Sequence, residues 1–360
     1  MTVMQAARWF GPRDLRIDSI SIPEPRPDEV LVRILACGVC GTDLEEYEHG
    51  AVSVVEGSGA GRAVPLTIGH EPVGVVVVAA FDGSGPAVGT VVVPDVVDGC
   101  EACWWCRAGE QGLCPQLIVR GQHHDGGLAE YMTARARSCV PVPAGRDPRL
   151  FALAEPVAVA VRALRKLDHV VGARIGVLGL GTIGALVARA ALTSGARGIV
   201  AADPIPAKRA LLPTGPAVRA VHPDELTATV AELGAPGLDA VIECTGRPGA
   251  LQRALELVRP GGRVVMVGLP TEHDSIDGAA LALTEKSVVG SAAHRYDTDI
   301  TDAVALIADG RVRVDDLVTH RFPLAHLVTD ALPALADSAT SGAIKVLIDF
   351  PDPTELTSPE

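Results

Sequence analysis

The chain has 360 residues, of which 48% are hydrophobic and 21% charged, and a formal net charge of −13. That length exceeds one ordinary core and predicts two domains, while the acidic balance excludes nucleic acid and anionic membrane as partners. No basic stretch runs into an apolar one at the start, and the most apolar run, residues 73–80, is far too short to span a bilayer. A cytoplasmic protein is expected, whose eight cysteines need a reason other than disulfides.

Taken in order, residues 1–35 alternate apolar and polar and predict short antiparallel strands at 5–9, 15–19 and 29–35, interrupted by Pro23, Pro25 and Pro27. Ala-Cys-Gly-Val-Cys-Gly-Thr-Asp-Leu follows at 36–44. Its Cys37 and Cys40 form Cys-x-x-Cys, but the thioredoxin-like surroundings of a redox pair are missing. A zinc pair is possible; Gly-His-Glu at 69–71 offers Cys40 a better partner in His70, just before a strand at 73–80. A single histidine between strands is more often structural, and only the combination with Cys40 argues otherwise. Residues 51–63 are Gly-rich and read as a loop.

Cys100, Cys103, Cys106 and Cys114 are the sharpest signal. Four thiolates in one short lobe match a closed tetrahedral zinc site with no open position. A nucleic-acid zinc ribbon would use the same ligands, but the lobe carries Arg107 as its one basic residue. His123 and His124 sit in a Gly-rich turn running into a strand; adjacent side chains point to opposite sides, so at most one faces a given pocket. Pro156 opens a helix at 157–166 and biases Glu155 away from helical geometry. On spacing alone Glu155 is a capping carboxylate at a helix N-terminus.

The strand at 175–178 runs into Gly179-Leu180-Gly181-Thr182-Ile183-Gly184 and then an Ala-rich helix. In this Gly-x-Gly-x-x-Gly, Gly179 permits a tight turn, Gly181 lets a pyrophosphate approach the backbone and Gly184 lets the helix pack on the strand. A second strand, 198–202, ends in Asp203, close to the place of the acidic residue that hydrogen-bonds the adenosine ribose. Helices at 185–194, 207–212, 225–233 and 247–258 then alternate with strands at 239–243 and 262–267. This is the pattern of a doubly wound parallel sheet, which binds ligands at the carboxyl ends of its strands; one such end is Cys244-Thr245-Gly246. A further strand at 287–290, helices at 301–308 and 324–336, a last strand at 345–350 and a disordered tail at 351–360 complete the expectation.

Cys40, His70, the four-cysteine lobe and the glycine motif, in this order, resemble the medium-chain dehydrogenase/reductase superfamily. More narrowly the chain looks like the zinc-dependent alcohol and polyol dehydrogenases, in the branch of butanediol, sorbitol and threonine dehydrogenases. Asp-Gly-Gly-Leu-Ala-Glu-Tyr at 125–131 and Glu155-Pro156 add to the likeness, which extends to about Phe350. It implies an α/β fold: a GroES-like β-rich catalytic domain over 1–157 and 291–360, with a structural zinc lobe at 95–116, and a Rossmann NAD-binding domain over 158–290.

The resemblance also implies a catalytic zinc on Cys40, His70 and Glu155, with Glu71 beside it or a transient ligand, and a structural zinc on the four cysteines: two zinc ions per chain. It places Thr42 on the substrate oxygen, Lys208 by the adenosine ribose and Lys345 on the pyrophosphate. Leu269 and Ala293 fall near the nicotinamide, and Thr245, at the carboxyl end of a strand, is expected on the cofactor. Family members commonly relay the proton through a histidine three residues after the Thr42 position; here that residue is Glu45, in the turn after Cys40. A carboxylate can carry a proton, with an unperturbed pKa about two units lower. Gly89-Thr90-Val91 stands where Gly-Asp-Arg is usual, with no functional account.

The expected activity is hydride transfer between a secondary alcohol, diol or polyol and NAD. Rival readings are an amino-alcohol or aminocyclitol-type sugar dehydrogenase, which Glu45 and Glu46 would tolerate, and a catalytically silent NAD-binding protein. An exposed sheet edge near 263–267 and 287–289 predicts a homodimer or homotetramer.

Overall fold

The computed structural model describes residues 2–50, 64–234, 236–270, 272–295 and 298–351. The loop expected at 51–63 and nearly all of the tail expected at 351–360 lie outside them. The chain divides into two compact units: residues 1–155, 294–309 and 317–360, and residues 156–293 and 310–316. Residues 310–316, expected with the catalytic domain, therefore belong to the second unit. The reason is Arg189, whose guanidinium donates to Arg313 O at 2.6 Å and to both oxygens of Asp316.

The first unit is β-rich. Its spine is the strand Glu29–Val39, buried along almost its whole length. It pairs antiparallel with Glu71–Val78 and, further along, with Lys345–Asp349 and Tyr131–Arg135. An alternation of apolar and polar residues was expected here, but the strand is covered on both faces, so almost every position is buried. Ile34, Val32, Val76, Val92 and Leu128 form the core on it. The register sets Gly38 opposite Glu71 and Val39 opposite Val346, so three distant segments converge at one strand end. Gly38 is needed there, because a Cβ at this position would collide with the Glu71 carboxylate.

Two expectations for this unit change. Residues 41–49 form a helix, Gly41–His49, where a turn was expected. Its sequence has no apolar stripe; its N-terminus is organised by Asp43, whose Oδ2 accepts the Cys40 N–H at 2.9 Å. The helix expected at 324–336 is broken into a 3-10 turn at Leu324–His326, a π-turn at Leu327–Ala331 and an α-helix at Leu332–Ala336. Pro333 cannot donate to the carbonyl one turn back, which breaks a regular α-helical ladder there.

The second unit is a six-stranded parallel sheet. Its order is Val218–Val221, Gly198–Ala202, Arg174–Leu178, Leu238–Glu243, Val258–Met266, Ser287–Gly290, the doubly wound Rossmann arrangement. The strand Val218–Val221 was not anticipated. It lies at an edge and is only partly buried, so it lacks the apolar run that betrays its neighbours. Ser287–Gly290 forms the other edge. Among the described residues no helix is long and apolar enough to cross a membrane.

Candidate active site

The first unit gathers Cys40, His70 and Glu71 with donor atoms within 4.8 Å of one another. Cys40 precedes the helix Gly41–His49, and Glu71 begins the strand Glu71–Val78. Thr42 Oγ1 lies 3.7 Å from Cys40 Sγ. Asp43, which sequence reasoning missed, also acts on His70, whose Nδ1 lies 3.5 Å from its Oδ1. That orients the ring and leaves Nε2 to a metal. Burial works against a charged His70, yet Asp43 and Cys40 hold its pKa well above the ordinary value.

Glu155 adjoins this group, close enough that its carboxylate and the charges of His70 and Lys345 shift one another. It was expected just outside a helix. It instead lies in the first turn of Ala154–Arg165, which continues without a break from a 3-10 turn at Pro148–Leu153. Pro156 is still in that first turn, where a missing N–H loses no intrahelical bond, so helix formation overrides the usual bias on the preceding residue.

Glu71 is fully engaged elsewhere. Lys345 Nζ donates to both of its oxygens at 2.7 Å and to Val39 O at 3.1 Å, with both side chains buried. Burial disfavours the ammonium, but Glu71 and Cys40 raise the Lys345 pKa. Burial and Glu155 push Glu71 up while Lys345 pulls it down; the bidentate contact keeps the pair ionised. Lys345, implied to reach a pyrophosphate, thus has its three protons committed beside the metal ligands.

Sequence reasoning also missed His294 and Asp95. Both are buried, with His294 Nε2 2.8 Å from Asp95 Oδ1 and Nδ1 3.6 Å from Glu155 Oε1. Burial works against the imidazolium, and the two carboxylates more than offset it, raising the His294 pKa to about 10. Thiol, imidazole and carboxylate are the donors zinc takes, and Cys40, His70 and Glu71 bring one of each within 4.8 Å of the others. The residues present fit a metal ion.

The four cysteines of the lobe bring their sulfurs within 4.8 Å of one another. No disulfide links them. Backbone N–H groups of Cys100, Cys106 and Gln116 donate to the sulfurs of Cys114, Cys103 and Cys114 at 3.3–3.4 Å. Hydrogen bonds from the Cys103 and Ala102 backbone lower the Cys100 pKa to about 6, while burial pushes Cys106 up. All four could hold one ion. His123, by contrast, is buried with Nδ1 accepting the Val119 N–H at 2.9 Å, and His124 is exposed.

In the second unit, the register pairs Leu178 with Ala202 and with Glu243, so the glycine turn, Asp203 and Thr245 share one sheet edge. Gly179 adopts φ +87. A Cβ on Gly184 would collide with Gly179 O, whereas no atom comes within 4 Å of a Cβ on Gly181. Thr182 and Ile183 begin the helix Thr182–Thr193 beyond that open space, at the helix end whose dipole favours an anion. Asp203 accepts from Leu180 N–H at 2.9 Å and Ile205 N–H at 2.8 Å, one bond per oxygen. Lys208 lies nearby on the helix Pro206–Arg209, half-buried. The fully buried Glu243, also missed, binds the Thr245 hydroxyl and the backbone of Thr245 and Gly246. Leu269 is exposed and its backbone lies against Gly246. Ala293 carries φ +48, a left-handed conformation rare for a residue with a side chain.

Residues 26–144 match the alcohol dehydrogenase GroES-like domain and residues 182–309 the zinc-binding dehydrogenase domain. A sorbitol dehydrogenase of Bombyx mori is 31% identical over 358 residues, covering 97% of this chain and 99% of that one. The structure of 2R,3R-butanediol dehydrogenase from Bacillus subtilis superposes with a TM-score of 0.87 at 28% identity, covering 97% of this chain and all of the other. A zinc-binding dehydrogenase from Sinorhizobium meliloti 1021, bound to NADP, gives 0.87 at 29% identity with the same coverage. On fold, metal donors and extent of likeness together, the chain belongs to the zinc-dependent medium-chain dehydrogenase/reductase superfamily.

Proposed function

We propose that this chain transfers a hydride between a secondary alcohol, diol or polyol and NAD, with a catalytic zinc on Cys40, His70 and Glu155 and a second zinc on Cys100, Cys103, Cys106 and Cys114. The observation that carries the ligand choice is Lys345: it occupies both oxygens of Glu71, which leaves Glu155 as the carboxylate free to serve. When bound, zinc supplies a Lewis acid for the substrate oxygen and the nicotinamide accepts the hydride.

The rest falls to the chain's own side chains. Asp43 orients His70. The Thr42 hydroxyl, beside Cys40 Sγ, holds the substrate oxygen and takes up its proton. Glu45 stands one helical turn further on the same face of Gly41–His49 and receives that proton. Burial raises its pKa, which brings it nearer the working range of a relay. Asp203 accepts the ribose hydroxyls and repels a 2′-phosphate, which supports NAD over NADP. Lys208 lines the same ribose, and Thr245, Leu269 and Ala293 take the nicotinamide end. The strand Ser287–Gly290, an edge of the sheet among the described residues, supports association into a dimer or tetramer.

A panel of secondary alcohols, diols, polyols and amino alcohols, each with NAD and with NADP, tests this on protein of measured zinc content. Turnover of a diol or polyol with NAD is the expected result. Cofactor binding without turnover across the panel would leave only a nucleotide-binding protein.

A further inference from the structure

His294 and Asp95 lie 199 positions apart in the chain and meet in the core of the first unit. Asp95 Oδ1 also accepts the Val97 N–H at 2.9 Å, which fixes its carboxylate. A carboxylate only accepts, so the hydrogen between Asp95 and Nε2 belongs to the ring. The ring is therefore clamped on one side. On the other, Nδ1 has no hydrogen-bond partner and faces Glu155 Oε1 at 3.6 Å. The backbone around it is pinned as well: Ala293 adopts φ +48, and Arg295 Nε donates to Gly109 O at 2.8 Å, within the four-cysteine lobe. A buried ring nitrogen left bare is costly, and Glu155 is the acceptor it faces.

We propose that His294 is a positioning residue for the metal carboxylate: Nδ1–H takes one oxygen of Glu155 and turns the other towards the Cys40–His70 donors. This rests on the reading of Glu155 as the third zinc ligand. Its consequence is one-oxygen ligation by a carboxylate whose charge is partly drawn off by the ring, in place of a two-oxygen grip. The lobe at Cys100–Cys114 then supports the catalytic metal indirectly, through Gly109 and Arg295.

The experiment compares the parent with His294→Asn, whose amide nitrogen replaces Nδ1, and with Asp95→Asn/His294→Leu, which removes the donor without leaving a buried carboxylate unpaired. Two readouts are independent of turnover: metal affinity by chelator competition at fixed pH, and the visible spectrum after cobalt(II) is exchanged into the catalytic position. The double variant should bind its catalytic metal about 10–100-fold more weakly and shift the cobalt bands, while His294→Asn stays near the parent. A double variant with parental affinity and spectrum would overturn the proposal. So would an Asn variant that loses as much as the double variant, since that would make the effect one of packing. A parent that takes up one metal only, in the four-cysteine lobe, overturns the metal site and this role with it; two metals in the parent and unchanged variants overturn the role alone.

Discussion

Lys345 and Glu71, 274 positions apart, form a buried bidentate ion pair with both oxygens at 2.7 Å from the ammonium. Removing one partner of such a pair leaves an uncompensated charge in the core, at a cost of about 3–5 kcal/mol. Lys345→Met should therefore lower the midpoint of chemical denaturation markedly. Lys345→Met with Glu71→Gln should recover most of the loss. An unchanged midpoint in the single variant would show that Glu71 finds another partner or takes up a proton.

Glu45 makes two predictions of opposite sign. Burial raises its pKa, with Glu46 and Glu48 adding to the rise and His49 opposing it. The folded state then binds this proton more tightly than the unfolded chain does. The resulting stabilisation is present below the unfolded pKa, about 4.3, and is lost as pH rises through the higher folded value. Glu45→Gln should thus be at least as stable as the parent at neutral pH. Its turnover should fall about tenfold, more at lower pH where solvent base is scarce, and Glu45→His should restore it. Superimposable pH–rate profiles for the three enzymes, where hydride transfer limits the rate, would remove Glu45 from the relay.

The two metal sites should differ in lability. In the proposed ligand sets four sulfurs close the lobe, whereas the Cys40 site offers one sulfur, one nitrogen and a hard oxygen. A chelator should strip the catalytic zinc first and abolish turnover while circular dichroism still reports the native fold. Elemental analysis should find two zinc ions per chain before treatment. Simultaneous loss of both metals would contradict the assignment.

Asp203 accepts a backbone N–H at each oxygen, so its variants must separate charge from loop support. Asp203→Asn keeps an acceptor for Leu180 and removes the repulsion of a 2′-phosphate. It should narrow the ratio of kcat/KM for NAD over NADP by about tenfold, the equivalent of about 1.4 kcal/mol. Arg209 donates to the Asp203 and Pro204 carbonyls and offers a counter-charge to that phosphate. A parent enzyme that prefers NADP would show Arg209 to be the stronger influence.

What the sequence by itself determined is what short loops close. Cys100 to Cys114 span fifteen residues, and so short a span brings the four sulfurs within 4.8 Å of one another. The glycine turn is equally local: strand, turn and helix follow one another, so the roles of Gly179, Gly181 and Gly184 can be read from order alone. The four central strands of the parallel sheet are apolar because both faces are covered, and that run survives in the sequence; the edge strand Val218–Val221 has no such run and was invisible. The helix Gly41–His49 was invisible too, since Leu44 and Tyr47 are its only large apolar residues and its start is marked by an unusual Cys40–Asp43 pair.

The balance of charge at the catalytic site was decided only by tertiary structure. Lys345 reaches Glu71 because the last strand pairs with Glu29–Val39, and His294 reaches Asp95 and Glu155 because three distant segments share one core. No periodicity encodes such contacts. Ion pairs and hydrogen bonds of this kind become strong once water is excluded, and which charges are excluded together is a property of the folded chain rather than of any stretch within it.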